Sequence, residues 1–183
     1  MEERMTSIQG SENVNTQIRK QENSLAISGL AVIAFGIWTV IKTGLMLLIS
    51  PEEFNAQFDI DELTQEIAEA DDITAGILTG AAAAGIIIAM AIDLFVRLKV
   101  GMAARKEGMG GKKMGKGKIV LAVILSLMLM TSVVGGTMEI INSGLDDSMD
   151  TRMIAVLIDL TALSACVHLL YSARRLRKLR KEI

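Results

Sequence analysis

The chain is poor in the residues from which reactive centres are built. A single cysteine among 183 residues excludes an internal disulfide framework and a multi-cysteine zinc site. A single histidine excludes a His-rich metal site. One proline, four Phe, one Tyr and one Trp leave no Pro-rich linker and no aromatic platform for stacked bases. Net charge is also small, −2 from 19 Lys and Arg against 21 Asp and Glu, so the chain as a whole favours neither an acidic nor a basic partner.

Apolar residues are what the chain has in excess. The hydrophobic side chains make up 51% of it, and 16 glycines add to that. An ordinary soluble domain reaches roughly 45–50% with glycine included. The excess is gathered into four long runs: Ser24 to Ile49, Ile73 to Val96, Ile119 to Ile141 and Met153 to Tyr171. About 20 residues at 1.5 Å per residue cross a hydrocarbon core of about 30 Å, so each run is long enough to span. A soluble bundle would show an apolar stripe with charges opposite, and these runs are apolar all round. The first 23 residues are polar and the first run exceeds a signal-peptide core, so it is read as a retained span.

Charge between the runs alternates. Residues 50 to 72 carry nine acids, from Glu52 to Asp72, and no Lys or Arg. The next connection carries Arg97, Lys99, Arg105, Lys106, Lys112, Lys113, Lys116 and Lys118 against Glu107 alone. Asp146, Asp147 and Asp150 follow the third run, and the tail is basic from Arg174 to Lys181. Through the positive-inside rule, this places both termini and the middle connection in the cytoplasm. The small net charge is then a cancellation. Seventeen basic residues against six acids lie on the cytoplasmic side, and twelve acids against Arg152 lie outside.

The expected architecture is an all-α membrane protein, a four-transmembrane-helix bundle with helices at about 24–49, 73–98, 118–142 and 152–172. Residues 1–23 form a polar cytoplasmic segment, 99–117 a basic cytoplasmic loop and 173–183 a basic tail. The acidic outer segment 50–72 is expected to hold a short amphipathic helix, because Ser50 and Pro51 suit a helix start and Phe54, Phe58, Leu63 and Ile67 give it an apolar side. No connection is long enough to fold alone. Short loops and the lack of Asn-x-Ser/Thr sequons point to a bacterial inner membrane.

Small residues recur within the runs. Ala75, Ala82 and Ala89 stand seven apart beside Gly85, Gly76 and Gly80 are four apart, and Gly29 and Gly36 repeat the pattern in the first run. Such residues let helix backbones approach closely, within the chain or against a second copy or partner helix. Gly110 to Gly117 resembles a phosphate-binding loop, but it lacks the Ser or Thr after its Lys and has no strand in front. It reads instead as a flexible Gly/Lys/Met connection whose basic residues, with the tail, attract anionic lipid headgroups. Nucleic acid is not an expected partner.

Ionisable residues inside spans are costly, about 2.5–3.5 kcal/mol each at mid-bilayer, and so are candidates for function. The candidates are Lys42, Asp93, Glu139, Asp159 and His168. Asp159 lies deepest, about 4–5 Å from the middle of its run at 1.5 Å per residue. Lys42 is about one helical turn away in depth and is its natural partner, though it can also snorkel outward. Asp93 has Arg97 four residues on, the spacing of an interface ion pair. Glu139 shares a polar rim with Thr131, Gly135 and Asn142, and His168 shares a stripe with Thr161, Ser164 and Ser172. Nine residues at 100° each put Asp159 and His168 on opposite faces, so one pore is not lined by both. Cys166 and His168 point apart, no hydrolase motif occurs, and the twelve methionines are scattered. No catalytic, cofactor or metal residues are assigned. The leading expectation is a non-enzymatic accessory, assembly or scaffold protein. A small proton- or cation-coupled transporter using Asp159 with Lys42 and Glu139 is the alternative.

Overall fold

The structure is a computed structural model that describes residues 2–49, 72–143 and 149–181. Within these, the side chains of 2–13, 46, 47, 49, 72–79, 139, 142, 143 and 149–152 lie outside the described set. Four helices make up the described chain: α1 (Glu2–Ile49), α2 (Asp72–Gly108), α3 (Lys116–Ser143) and α4 (Met149–Leu179). No strand occurs among the described residues. The segment expected to carry the short outer helix, 50–71, lies outside them.

Each helix contains a stretch long and apolar enough to cross a membrane: Val14–Leu45, Gly80–Gly108, Lys116–Met138 and Met153–Leu179. Large apolar side chains stand exposed around all four, among them Trp38, Ile92, Phe95, Met128, Met138 and Leu157. A water-soluble protein does not expose apolar surface on this scale, whereas lipid tails cover it without penalty. The chain is built as a multi-pass membrane protein.

At their basic ends α2 and α4 run past the apolar runs of the sequence, which close at Val96 and Tyr171. α2 continues through Arg105 and Lys106, and α4 through Arg177 and Lys178, all in last turns, where positive charge complements the helix dipole. A glycine stops α2. Gly110 has φ +79°, and two hydrogen bonds close around it, from the Gly110 N–H to the Glu107 carbonyl and from the Gly111 N–H to the Lys106 carbonyl. This is a Schellman cap, which needs a left-handed residue at that position. The connection between α2 and α3 is therefore only residues 109–115, and its glycines end one helix before the next begins. The Lys118 and Ile119 amides already bond to the Gly115 carbonyl.

The chain divides into two compact units, 1–34 with 97–183, and 35–96. Every buried hydrophobic side chain among the described residues belongs to the first, including Leu25, Val100, Leu125, Leu169 and Leu176. Here α1 and α2 cross through small residues. A Cβ built on Gly29 would lie 2.6 Å from the Gly101 carbonyl oxygen, and one on Gly108 would lie 2.5 Å from the Glu22 carbonyl oxygen. At such crossings only glycine admits the neighbouring backbone. α3 packs along α4, with Gly136 set against Val156.

In the second unit, Gly36 of α1 is buried, but other small residues of α1 and α2 stand open. A Cβ on Gly44, Gly80 or Gly85 would meet nothing within 4 Å. Ala81, Ala84 and Ala89 are exposed beside Ile87, Ile88 and Ile92. Ala75 and Gly76 carry side-chain positions outside the described set.

Candidate functional site

Polar side chains in the first unit gather into three groups, each at a seam between helices. The largest surrounds Glu107, which is fully buried near the end of α2. Its Oε2 accepts the Met114 N–H at 2.7 Å. The guanidinium of Arg177 stands 3.9 Å from Oε2 and that of Arg180 3.8 Å from Oε1. Arg180 also donates to Glu22 Oε1 on α1 at 2.8 Å, and Arg177 donates to the Met114 carbonyl. Met114 is itself buried, at 3% exposure. One carboxylate thus ties α2, the connection, α4 and, through Arg180, α1. Burying a carboxylate is tolerable only with such partners. The Gly/Lys/Met connection, expected to be flexible, is held at both the N–H and the carbonyl of Met114, just before α3 begins.

Oε1 of Glu107 and Nε of Arg177 are buried with no hydrogen-bond partner among the described residues. For Oε1 the nearby Arg180 charge compensates in part.

The second group joins α1 to α4. Nδ1 of His168 lies 3.0 Å from Ser28 Oγ and 3.3 Å from Ser24 Oγ, and Ser24 Oγ is 3.0 Å from Ser172 Oγ. Ser28 and Ser172 are buried. The third joins α3 to α4: Ser132 donates to Asp159 Oδ2 at 2.7 Å. Asp159 therefore faces α3 while His168 faces α1, as nine residues of helix between them require.

The remaining candidates fall elsewhere. Lys42 belongs to the second unit and is half-buried. Asp93 is half-buried and Arg97 is buried, and neither is without a partner. Glu139 lies on α3, with its side chain outside the described set. Among the described residues, no three His, Cys, Asp or Glu side chains converge as metal ligands would. Cys166 is a buried thiol in α4, outside any disulfide.

Reasoning from sequence missed the Glu107 group. A signal was present: Glu107 is the single acid in a connection with eight basic residues, and a lone carboxylate there is a natural hub for arginines. Its partners stand about 70 residues further on, so no local spacing names them.

A groove opens beside this group, between the start of α3 and the end of α4. Its volume is ≈ 920 Å³, and Ile119, Val123, Leu170 and Ala173 line it together with Tyr171, four basic side chains of α4 and Lys181 just past its end. Arg175 donates to the Tyr171 hydroxyl at 2.8 Å and stands over its ring at 6.0 Å.

No protein-family model, curated protein or solved structure matches this chain.

Proposed function

We propose that this protein is a non-enzymatic membrane accessory, assembly or scaffold protein, acting by packing its second helix against another membrane helix. Both termini and the basic connection lie in the cytoplasm in this reading, and the membrane is a bacterial inner membrane. The alternating charge supports that orientation.

One observation carries the reading: the chain closes one small-residue seam and leaves another open. Gly29, Gly101 and Gly108 are filled by neighbouring backbone, while Gly80 and Gly85 meet nothing. Isoleucine and leucine suit a lipid-facing surface. Exposed Gly80, Ala81, Ala84, Gly85 and Ala89 present little to lipid and much to an approaching helix. The occupant is a second copy or a partner membrane protein. Purification in mild detergent, with cross-linking through an Ala84→Cys variant in a Cys166→Ala background, tests this. A cross-linked dimer or a co-purifying partner that disappears in Gly85→Leu is expected. A monomer alone, unchanged by Gly85→Leu, would refute it.

A second reading, a small proton- or cation-coupled transporter, draws on Asp159. This carboxyl is half-buried within a span and bonded to a single serine, with Lys42 and Glu139 as further groups in that scheme. Asp159→Asn would then abolish a pH-dependent flux in proteoliposomes without changing the fold. If the residue only ties α3 to α4, no flux exists to abolish.

A further inference from the structure

We infer that the groove between the start of α3 and the end of α4 is a binding site for one anionic phospholipid. Its floor is apolar, made by Ile119, Val123, Leu170 and Ala173. Its rim is cationic, with Arg174, Arg175, Arg177, Lys178 and Lys181 and no acidic residue. That division matches an amphiphile with a negative head and hydrocarbon tails, and it suits no fully polar polyanion, which would gain nothing from the floor.

The rim charges are not equivalent. Arg177 is committed to the Met114 carbonyl beside Glu107, and Arg175 to Tyr171. Arg174, Lys178 and Lys181 are exposed and form no ion pair among the described residues. These three supply the charge for a phosphate. Depth agrees as well. The uninterrupted apolar run of the sequence in α3 begins at Ile119, just past Lys116 and Lys118, and that in α4 ends at Tyr171, so the groove straddles the membrane boundary. Tyrosine is favoured at that level because its ring is apolar and its hydroxyl polar. A bound lipid would set its phosphate among the three cations and lay its chains along Ile119, Val123 and Leu170. This inference is independent of what occupies α2, since every lining residue lies in the first unit.

Native mass spectrometry of the full chain, mixed with equal amounts of phosphatidylglycerol and phosphatidylcholine in detergent, tests the site. The wild-type chain should retain phosphatidylglycerol preferentially. Arg174→Gln/Lys178→Gln/Lys181→Gln should lose about tenfold or more of that preference, whereas Lys20→Gln/Lys112→Gln/Lys113→Gln, with the same charge removed elsewhere, should keep it. Val123→Trp, which fills the floor and leaves every charge in place, should also release the lipid. Equal loss in the two charge variants would show diffuse attraction and overturn the site, as would a Val123→Trp variant that binds normally. Displacement by millimolar inorganic phosphate would reassign the groove to a small anion, and firmer retention of a short oligonucleotide would reassign it to nucleic acid. Either result overturns the proposal.

Discussion

The buried carboxylate of Glu107 holds the amide of Met114 at 2.7 Å, seven residues along the chain and beyond the end of the helix that carries it. This bond fixes where the connection runs once Gly110 has stopped α2. Arg177 and Arg180 are the other half of the arrangement, with side chains 30% and 19% exposed. Removing the carboxylate leaves the largely buried Arg177 with only the Met114 carbonyl, while Arg180 keeps Glu22. Glu107→Ala should therefore destabilise the protein by about 2–3 kcal/mol, below the 3–5 kcal/mol of a fully buried pair because water reaches the arginines. Glu107→Gln keeps an acceptor for Met114 and should cost less. Denaturant titration in detergent micelles gives both values. Limited trypsin digestion at Lys112 and Lys113 should accelerate in the alanine variant.

The glycines divide into two classes that a single methyl group distinguishes. At Gly101 a Cβ would stand 2.5 Å from both the Gly29 carbonyl oxygen and Ile33 Cγ1, so α1 and α2 must separate to admit it. Gly101→Ala should cost about 1–3 kcal/mol, the range of overpacking in a filled interior. At Gly85 the same atom meets open space, and replacing a helical glycine removes backbone freedom from the unfolded chain. Gly85→Ala should stabilise the isolated chain by about 0.5–1 kcal/mol. Thermal melts of the two variants should move in opposite directions.

The membrane spans were legible because hydrophobicity is local and additive along a helix. The opposed faces of Asp159 and His168 were legible for a similar reason, as helical periodicity alone separates them. Helix ends were less so. Between Arg97 and Gly108 the chain turns basic, which marks an exit from the membrane but not an end to the helix. The end is set by Gly110 and its backbone geometry, three residues beyond Glu107, the last charged side chain of α2, which has no power to stop it. Which glycine seam closes was not legible either. Gly29 and Gly80 look alike in a list of small residues, and only the pairing of helices decides which of them meets backbone. Ser24 and Ser28 carried no signal at all, since a serine in an apolar run reads as neutral until His168 stands opposite it.

Ser132 and Asp159 make a second test of packing. The serine hydroxyl donates to the carboxyl within the apolar stretches of α3 and α4. Such interhelical bonds in membranes average about 0.6 kcal/mol and reach about 1.7 kcal/mol. Ser132→Ala should fall within that range. Asp159→Asn keeps an acceptor for the hydroxyl and should cost no more. A double-mutant cycle that measures both single variants and the pair should return a coupling of the same size. Additive effects would show that the bond contributes nothing to stability.

Orientation is the last property open to direct measurement, and the charge pattern makes it a sharp one. Residues 50 to 72 carry nine acids and no basic residue, while residues 97–118 carry eight Lys and Arg against Glu107 alone and 174–181 carry six against no acid. Basic residues near span ends resist translocation, and acids contribute little to the bias, so the two basic segments dominate. With four spans, they must lie on the same side as the N-terminus. Reporter fusions after Glu66 and after Lys181 should report opposite compartments, the second cytoplasmic. Replacing Lys112, Lys113 and Lys116 with Gln should weaken the bias without inverting it, because Arg174, Arg175, Lys178 and Lys181 still retain the tail. Both reporters on one side would remove the orientation.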